Sequence, residues 1–315
     1  KLSMTLVLVR HGESEWNAKG LFCGWVDVDL SLKSATVDSH RASKLIKEYS
    51  INYKDNIEPL FDICYCSVLK RSIKTAHNIL ENIDELYIPI KKSWRLNERF
   101  YGGLTGQKKI EMVEKYGKEQ IKKWRRSYDD PPPEINEDNP LNPKKHDSKY
   151  YRLPDFDVNK DFPKTESLFH VIERIKPLWF NEIKPLLKQQ KNVFLSIHGT
   201  SMRAIIVLIE QEYSSGNNQS DNNDDVNELN HILSKLEIPN GYPVIYEFDK
   251  NGAIKIIKDN DDNHDWISKQ QKVFKMNVKI HGRFLGNLDD LLNAQNKVKN
   301  QIEKDPTDNK KISLL

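Results

Sequence analysis

The sequence offers two histidines where chemistry could be done. The first stands in Arg10-His11-Gly12-Glu13-Ser14, directly after the apolar run Leu6–Val9. The second stands in His198-Gly199-Thr200-Ser201, directly after NVFLSI. A cationic neighbour such as Arg10 favours the neutral imidazole at physiological pH, and a neutral imidazole can attack phosphorus. Gly12 lets the backbone turn sharply and approach a ligand. Arg10 can grip phosphate oxygens with a forked pair of hydrogen bonds. Arg71 closes SVLKR, Ser67–Arg71, which opens a helical pattern where a phosphate could sit at the N-terminus. A protonated His198 could offset the charge that builds on a transferring phosphoryl group. These residues read as one pocket, formed by Arg10, His11, Arg71 and His198, for one phosphate.

Residues so far apart in sequence need a scaffold to bring them together. Short apolar runs rich in β-formers lie at Leu6–Val9, Phe61–Cys66, Tyr87–Ile90, Val193–Ile197 and Val244–Phe248. Helical patterns lie between them, at about Thr36–Tyr49, Lys70–Asn82, Ile110–Arg126, Ser167–Leu187 and Ser201–Ile209. Such alternation predicts an α/β fold with a mostly parallel central sheet and helices on both faces. Ligands in such sheets bind beyond the carboxyl ends of strands, where both His-Gly pairs fall.

One domain is expected over residues 1–315, with four departures from the rhythm. Residues 129–164, beginning DDPPPEINEDNPLNP, read as a long irregular excursion. Residues 211–230 contain SSGNNQSDNNDD and read as a mobile polar surface loop. An insert spans 259–281, followed by a tail, 282–315, with a helical pattern at Leu288–Lys304. The excursion and the tail are candidates for a lid over the pocket.

The 315 residues suffice for a core that needs no disulfide support. A net charge of +3, with no strongly one-signed block, gives no reason to expect nucleic acid. No apolar run approaches the length of a membrane span, and KLSMTLVLV is too short for a secretory leader. Three cysteines without an extracellular spacing pattern suggest a reducing, cytoplasmic compartment. Cys64 and Cys66 alternate along a strand, a pattern of packing rather than of zinc ligation.

Seven segments, LVLVRHGESEWN, FCGWVDVDLS, SVLKRSIKTA, WRLNERFYGGLTGQ, WRRSYDDPPP, FPKTESL and SIHGTSMRA, resemble in order the motifs of the cofactor-dependent phosphoglycerate mutases of the histidine phosphatase superfamily. The likeness runs from Thr5 to about Lys258, and GRFLGNLDDL, Gly282–Leu291, is similar to the family's C-terminal segment. RHG alone is a superfamily-level signal, whereas WRLNER and WRRSYDDPPP are specific to mutases. The resemblance implies interconversion of 3- and 2-phosphoglycerate through a phosphohistidine on His11, primed by 2,3-bisphosphoglycerate and without a metal. It implies Glu98 as general acid/base, with Arg10, Arg71 and His198 on the phosphoryl group. Ser14, Asn17, Cys23, Gly24, Tyr101, Lys109, Arg125, Arg126, Gly199 and Thr200 would surround the substrate. Taken alone, Arg125-Arg126 reads as a solvated helix face and Glu98 as a surface ion-pair partner.

The pattern is broken in places. Thr200 stands where the family usually has Asn, Phe100 where it has His, Cys23 where Ser or Thr is common, and Ser34 where Gly is frequent. These changes and the inserts suggest a divergent paralogue, and the Asn- and Lys-rich composition suggests a eukaryotic, fungal-like source. The resemblance implies small phosphoglycerates as ligands and a homodimer or tetramer, which the inserts could block. Two other readings stand beside the mutase: a phosphatase in which water attacks phospho-His11, and a paralogue that only binds or regulates.

Overall fold

The computed structural model describes residues 4–53, 59–217, 223–249, 251–255, 266–275 and 280–302. In its first half, β1 (Met4–Arg10) leads through α1 (Glu15–Ala18) and α2 (Leu32–Tyr53) to β2 (Ile63–Cys66), α3 (Lys70–Asn82) and β3 (Ile90–Lys92). Then come α4 (Lys109–Tyr116), α5 (Lys118–Arg126), α6 (Pro143–His146), α7 (Leu168–Leu178) and α8 (Lys184–Lys188). The chain returns to the sheet at β4 (Val193–Ile197), followed by α9 (Gly199–Asn217) and α10 (Asn223–Ser234). It ends with β5 (Val244–Phe248), β6 (Ile254–Lys255), α11 (Trp266–Val273), β7 (Arg283–Phe284) and α12 (Leu288–Lys299).

The strand order is β3-β2-β4-β1-β5-β6, with β7 also on β5. The first four strands are parallel, and β5, β6 and β7 are antiparallel to their neighbours. The α/β architecture expected from the sequence is therefore present, as a mixed sheet whose parallel half carries the His-Gly pairs. Side chains alternate across strands, and two apolar layers follow from that. Leu6, Leu8, Tyr65, Leu195 and Ile197 pack on α7 and α9. Val7, Val9, Cys64, Cys66 and Phe194 pack on α2 and α3. The two cysteines are core residues, and burial pushes the Cys66 thiol up to about 12. No helix among the described residues is long and apolar enough to cross a membrane.

Several boundaries differ from the sequence pattern for identifiable reasons. The pattern Ile110–Arg126 is two helices, because Gly117 takes φ +83° between them. Ser167–Leu187 is nearly continuous, with a π turn at Trp179–Ile183 joining α7 to α8. The third strand shifts to Ile90–Lys92, since Pro89 has no N–H to give and only its carbonyl pairs, with Cys64 N. The polar stretch 211–230 is not a surface loop over most of its length. Residues to 217 extend α9 and those from 223 form α10, where Leu229 and Leu233 are buried and Gln211 donates to Asn230. Residues 218–222 lie outside the described residues, as do 256–265 and 276–279 of the insert and 303–315 of the tail.

The described part of the insert and tail is core, not appendage. Ile280, Phe284 and Leu291 are buried with α9. The buried Glu210 carboxylate accepts from Tyr246 Oη (2.7 Å) and His281 N (2.7 Å), with His281 Nδ1 2.7 Å from its other oxygen. His281→Ala removes one partner of a buried carboxylate and is expected to lower unfolding free energy by about 1–3 kcal/mol in urea titration. An unchanged midpoint would contradict this anchor.

Candidate active site

Topology brings the two histidines together. β1 and β4 are neighbours with Arg10 opposite Ile197, and His11 N donates to the Ile197 carbonyl at 2.8 Å. Both rings are buried beyond the carboxyl ends of these strands, with centroids 4.8 Å apart, edge to face. β2 lies on the far side of β4, so the next residue, Ser67, reaches His198 Nε2 at 2.7 Å. α3 starts three residues on and buries Arg71 on its first turn.

His11 Nδ1 lies 2.6 Å from the Gly12 carbonyl. A carbonyl only accepts, so Nδ1 carries the hydrogen and Nε2 keeps its lone pair. Burial, then Arg71 and Arg10, holds His11 well below 6.5. Burial, then Arg71 and His11, does the same to His198. Both rings are neutral at physiological pH, so His198 is not a standing cation. Its Nδ1 is buried with no hydrogen-bond partner among the described residues, an orphan that a phosphate oxygen would satisfy. Arg71 is fixed by the Val26 and Gly24 carbonyls at 2.9 and 2.8 Å, and Arg10 by the Ile238 carbonyl at 2.6 Å.

Glu98 faces the same cavity from the loop after β3. Its Oε1 accepts from Arg99 N at 2.7 Å and Thr200 N at 3.2 Å. Thr200 thus serves through its backbone N–H, which any residue but proline would supply. Burial alone would raise the carboxyl, but the hydrogen bonds from Thr200 and Arg99 and the charge of Arg10 hold it below the ordinary range. The excursion 129–164 clamps this loop instead of covering the pocket. The Pro133 carbonyl accepts from Gly103 N at 2.7 Å, and Gly102 sits at φ +55° where a Cβ would strike that carbonyl. Tyr150 and Phe156 join Trp25 and Phe100 in an aromatic cluster, and Trp25 Nε1 donates to the Glu98 carbonyl at 2.7 Å. Phe100 is edge-to-face with Trp25, ring centroids 6.0 Å apart.

The cavity, about 50 Å³, is lined by His11, Asn17, Cys23, Glu98, Tyr101, Gly199 and Thr200, and by six cations: Arg10, Arg71, Lys109, Arg125, Arg126 and Arg203. Of the expected site residues, three stand just behind this lining. His198 underlies His11, Gly24 holds Arg71, and Ser14 caps α1 with its Oγ 3.6 Å from Cys23 Sγ. Arg203, Val298 and Gln301 were not legible as site residues. Arg203 follows Gly199 by one helical turn and so returns to the same face, a signal present in the sequence. Gln301 has no such signal, since only the fold brings the end of the chain back to Lys109, whose Nζ donates to Gln301 Oε1 at 2.7 Å. Val298 and Gln301 of the tail thus line the cavity.

Arg125 is buried, yet its guanidinium has no hydrogen bond or ion pair among the described residues; burial, then Arg126, lowers it to about 10. Lys109 is lowered to about 7 by burial, then Arg125. An anion favours the protonated lysine, so binding should weaken as pH rises through 7. Sulfate, whose charge is constant there, is expected to bind more weakly at pH 8 than at pH 6, and Lys109→Met to flatten that slope. A slope unchanged in the variant would remove Lys109 from the anion site.

Residues 6–142 match the family model described as "Histidine phosphatase superfamily (branch 1)". Among solved structures, a mycobacterial hydrolase is 16% identical over 80% of this chain and 95% of its own, with a TM-score of 0.53. A mycobacterial glucosyl-3-phosphoglycerate phosphatase, complexed with VO3, is 17% identical over 78% and 92%, with a TM-score of 0.51. Phosphoglycerate mutase from Bacillus anthracis is 18% identical over 82% and 93%, with a TM-score of 0.50. At such identity these likenesses speak to fold. Over residues 6–142 the chain is similar to the histidine phosphatase superfamily, branch 1.

Proposed function

We propose that the protein moves a phosphoryl group through His11, interconverting 3- and 2-phosphoglycerate. The observation that carries this reading is a neutral His11, its Nε2 lone pair fixed by the Gly12 carbonyl, in a buried cavity lined by six cations and one ionised glutamate. Nε2 attacks phosphorus, the N–P bond forms as the P–O bond breaks, and Arg10, Arg71 and the orphan Nδ1 of His198 take the three outer oxygens. Glu98, already ionised, accepts the proton of the substrate hydroxyl that receives the group, and returns it in the reverse step. Lys109 and Arg125 face the substrate carboxylate. 2,3-Bisphosphoglycerate would supply the priming phosphoryl group, and the unpaired Arg125 and His198 Nδ1 fit so anionic a ligand. Gln301 and Val298, over the cavity, limit access of water to phospho-His11.

A phosphatase is the second reading, and one contact favours it: Glu237 takes up both forks of Arg126, removing a cation from the substrate cage. The test is turnover of 3-phosphoglycerate with and without 2,3-bisphosphoglycerate, in EDTA. Turnover that requires the bisphosphate and ignores EDTA supports the mutase. Release of inorganic phosphate without isomerisation supports the phosphatase.

A further inference from the structure

We propose that Glu237 is a positioning residue that sets how much negative charge the cavity accepts, biasing it toward monophosphorylated ligands over bisphosphorylated ones. This rests on the phosphoryl-transfer reading of the same site. Among the six cations around the cavity, Arg126 presents its guanidinium edge to Glu237. Nε donates to Oε1 at 2.8 Å and Nη2 to Oε2 at 2.5 Å, while Nη1 donates to the Arg125 carbonyl at 2.9 Å. Every nitrogen of that guanidinium therefore has a protein partner. Glu237 also stands 3.8 Å from Arg203, whose Nε is held by the Leu236 carbonyl at 2.6 Å.

Glu237 lies behind the lining, at the start of the segment that leads into β5, and touches no cavity space itself. It acts by cancelling charge. Burial opposes its ionisation, but Arg126 and then Arg203 bring the carboxyl down to about 2, so the negative charge is permanent at working pH. The phosphate end, with Arg10, Arg71 and two histidines, keeps its full strength. The far end keeps Arg125 and Lys109 but loses the net charge of Arg126. A carboxylate carries one charge and a phosphomonoester about −1.5 to −2. The far end is thus matched to the smaller charge, and a second phosphate there is under-compensated. The consequence for the reaction is direct: the bisphosphate is held less tightly than six unpaired cations would hold it.

The experiment is isothermal titration of wild type, Glu237→Gln and Glu237→Gln/Arg126→Gln with inorganic phosphate, 3-phosphoglycerate and 2,3-bisphosphoglycerate. Glu237→Gln keeps the side-chain shape and frees one positive charge. Bisphosphate should bind at least about tenfold tighter than to wild type, while inorganic phosphate stays within about twofold. The double substitution restores the local charge and should return the bisphosphate-to-phosphate affinity ratio to wild type; it also tests the idea if the single variant fails to fold. A purely structural role would weaken all three ligands alike. Equal effects on all ligands, or a double variant that loses 3-phosphoglycerate selectively because Arg126 itself grips substrate, overturns the inference alone. A wild-type protein that binds no inorganic phosphate overturns the phosphoryl-transfer reading and this inference with it.

Discussion

His11→Ala is expected to lower turnover by at least about 10⁴-fold, with folding intact by circular dichroism. The size follows from what is lost. Removing a nucleophile that forms a covalent intermediate leaves only the binding and electrostatic parts of catalysis. No described neighbour can replace it: His198 Nε2 is engaged by Ser67, and its Nδ1 is the group given to a phosphoryl oxygen. The pH profile gives the same prediction a second form. His11 is held neutral well below 6.5 by burial and by Arg71 and Arg10. The sign is clear: the active form is the neutral one, present above the folded-state value. Activity should therefore persist as pH falls through 6.5, where an unperturbed histidine would already be charging. A variant retaining a tenth of wild-type turnover, or an acid limb centred at 6.5, would move the nucleophile elsewhere.

Glu98→Gln is expected to cost about 10²–10⁴ in turnover of phosphoglycerate, the range for a lost general base. The substitution is nearly isosteric, and Gln can still accept from Arg99 N and Thr200 N through its carbonyl oxygen. The loss should fall on steps in which a poor leaving group needs a proton or a substrate hydroxyl must give one up. An activated aryl phosphate needs neither, so it should phosphorylate the variant at close to the wild-type rate. Equal losses on both substrates would make Glu98 a structural or binding residue only.

Much of this site could be read before the fold was seen, and for a physical reason. Arg10-His11-Gly12 and His198-Gly199 follow short apolar runs, rich in β-formers, that read as buried strands, so a place at a sheet's carboxyl edge follows from that reading. The helix Lys70–Asn82 is legible in the sequence, because its apolar positions recur at helical spacing. Other features were hidden because they are tertiary. Nothing local to Asp129–Lys164 says that its aromatic residues wrap Trp25 and brace the Glu98 loop. Nothing local to Gln211–Asn230 says that a polar run continues a helix, since α9 and α10 are held by Leu229 and Leu233 on a neighbouring surface. Glu237 is an ordinary acidic residue in sequence; only the return of that segment beside α5 makes it the partner of Arg126.

The central claim is a phosphoryl group carried on His11, and it can be measured directly. The protein is incubated with 2,3-bisphosphoglycerate, quenched in alkali, digested and analysed for phosphate that is acid-labile and alkali-stable. The account predicts one such phosphate per chain, on the peptide containing His11, absent in His11→Ala. Phosphate on another residue, its persistence in His11→Ala, or none at all in a protein that still turns over phosphoglycerate would contradict it.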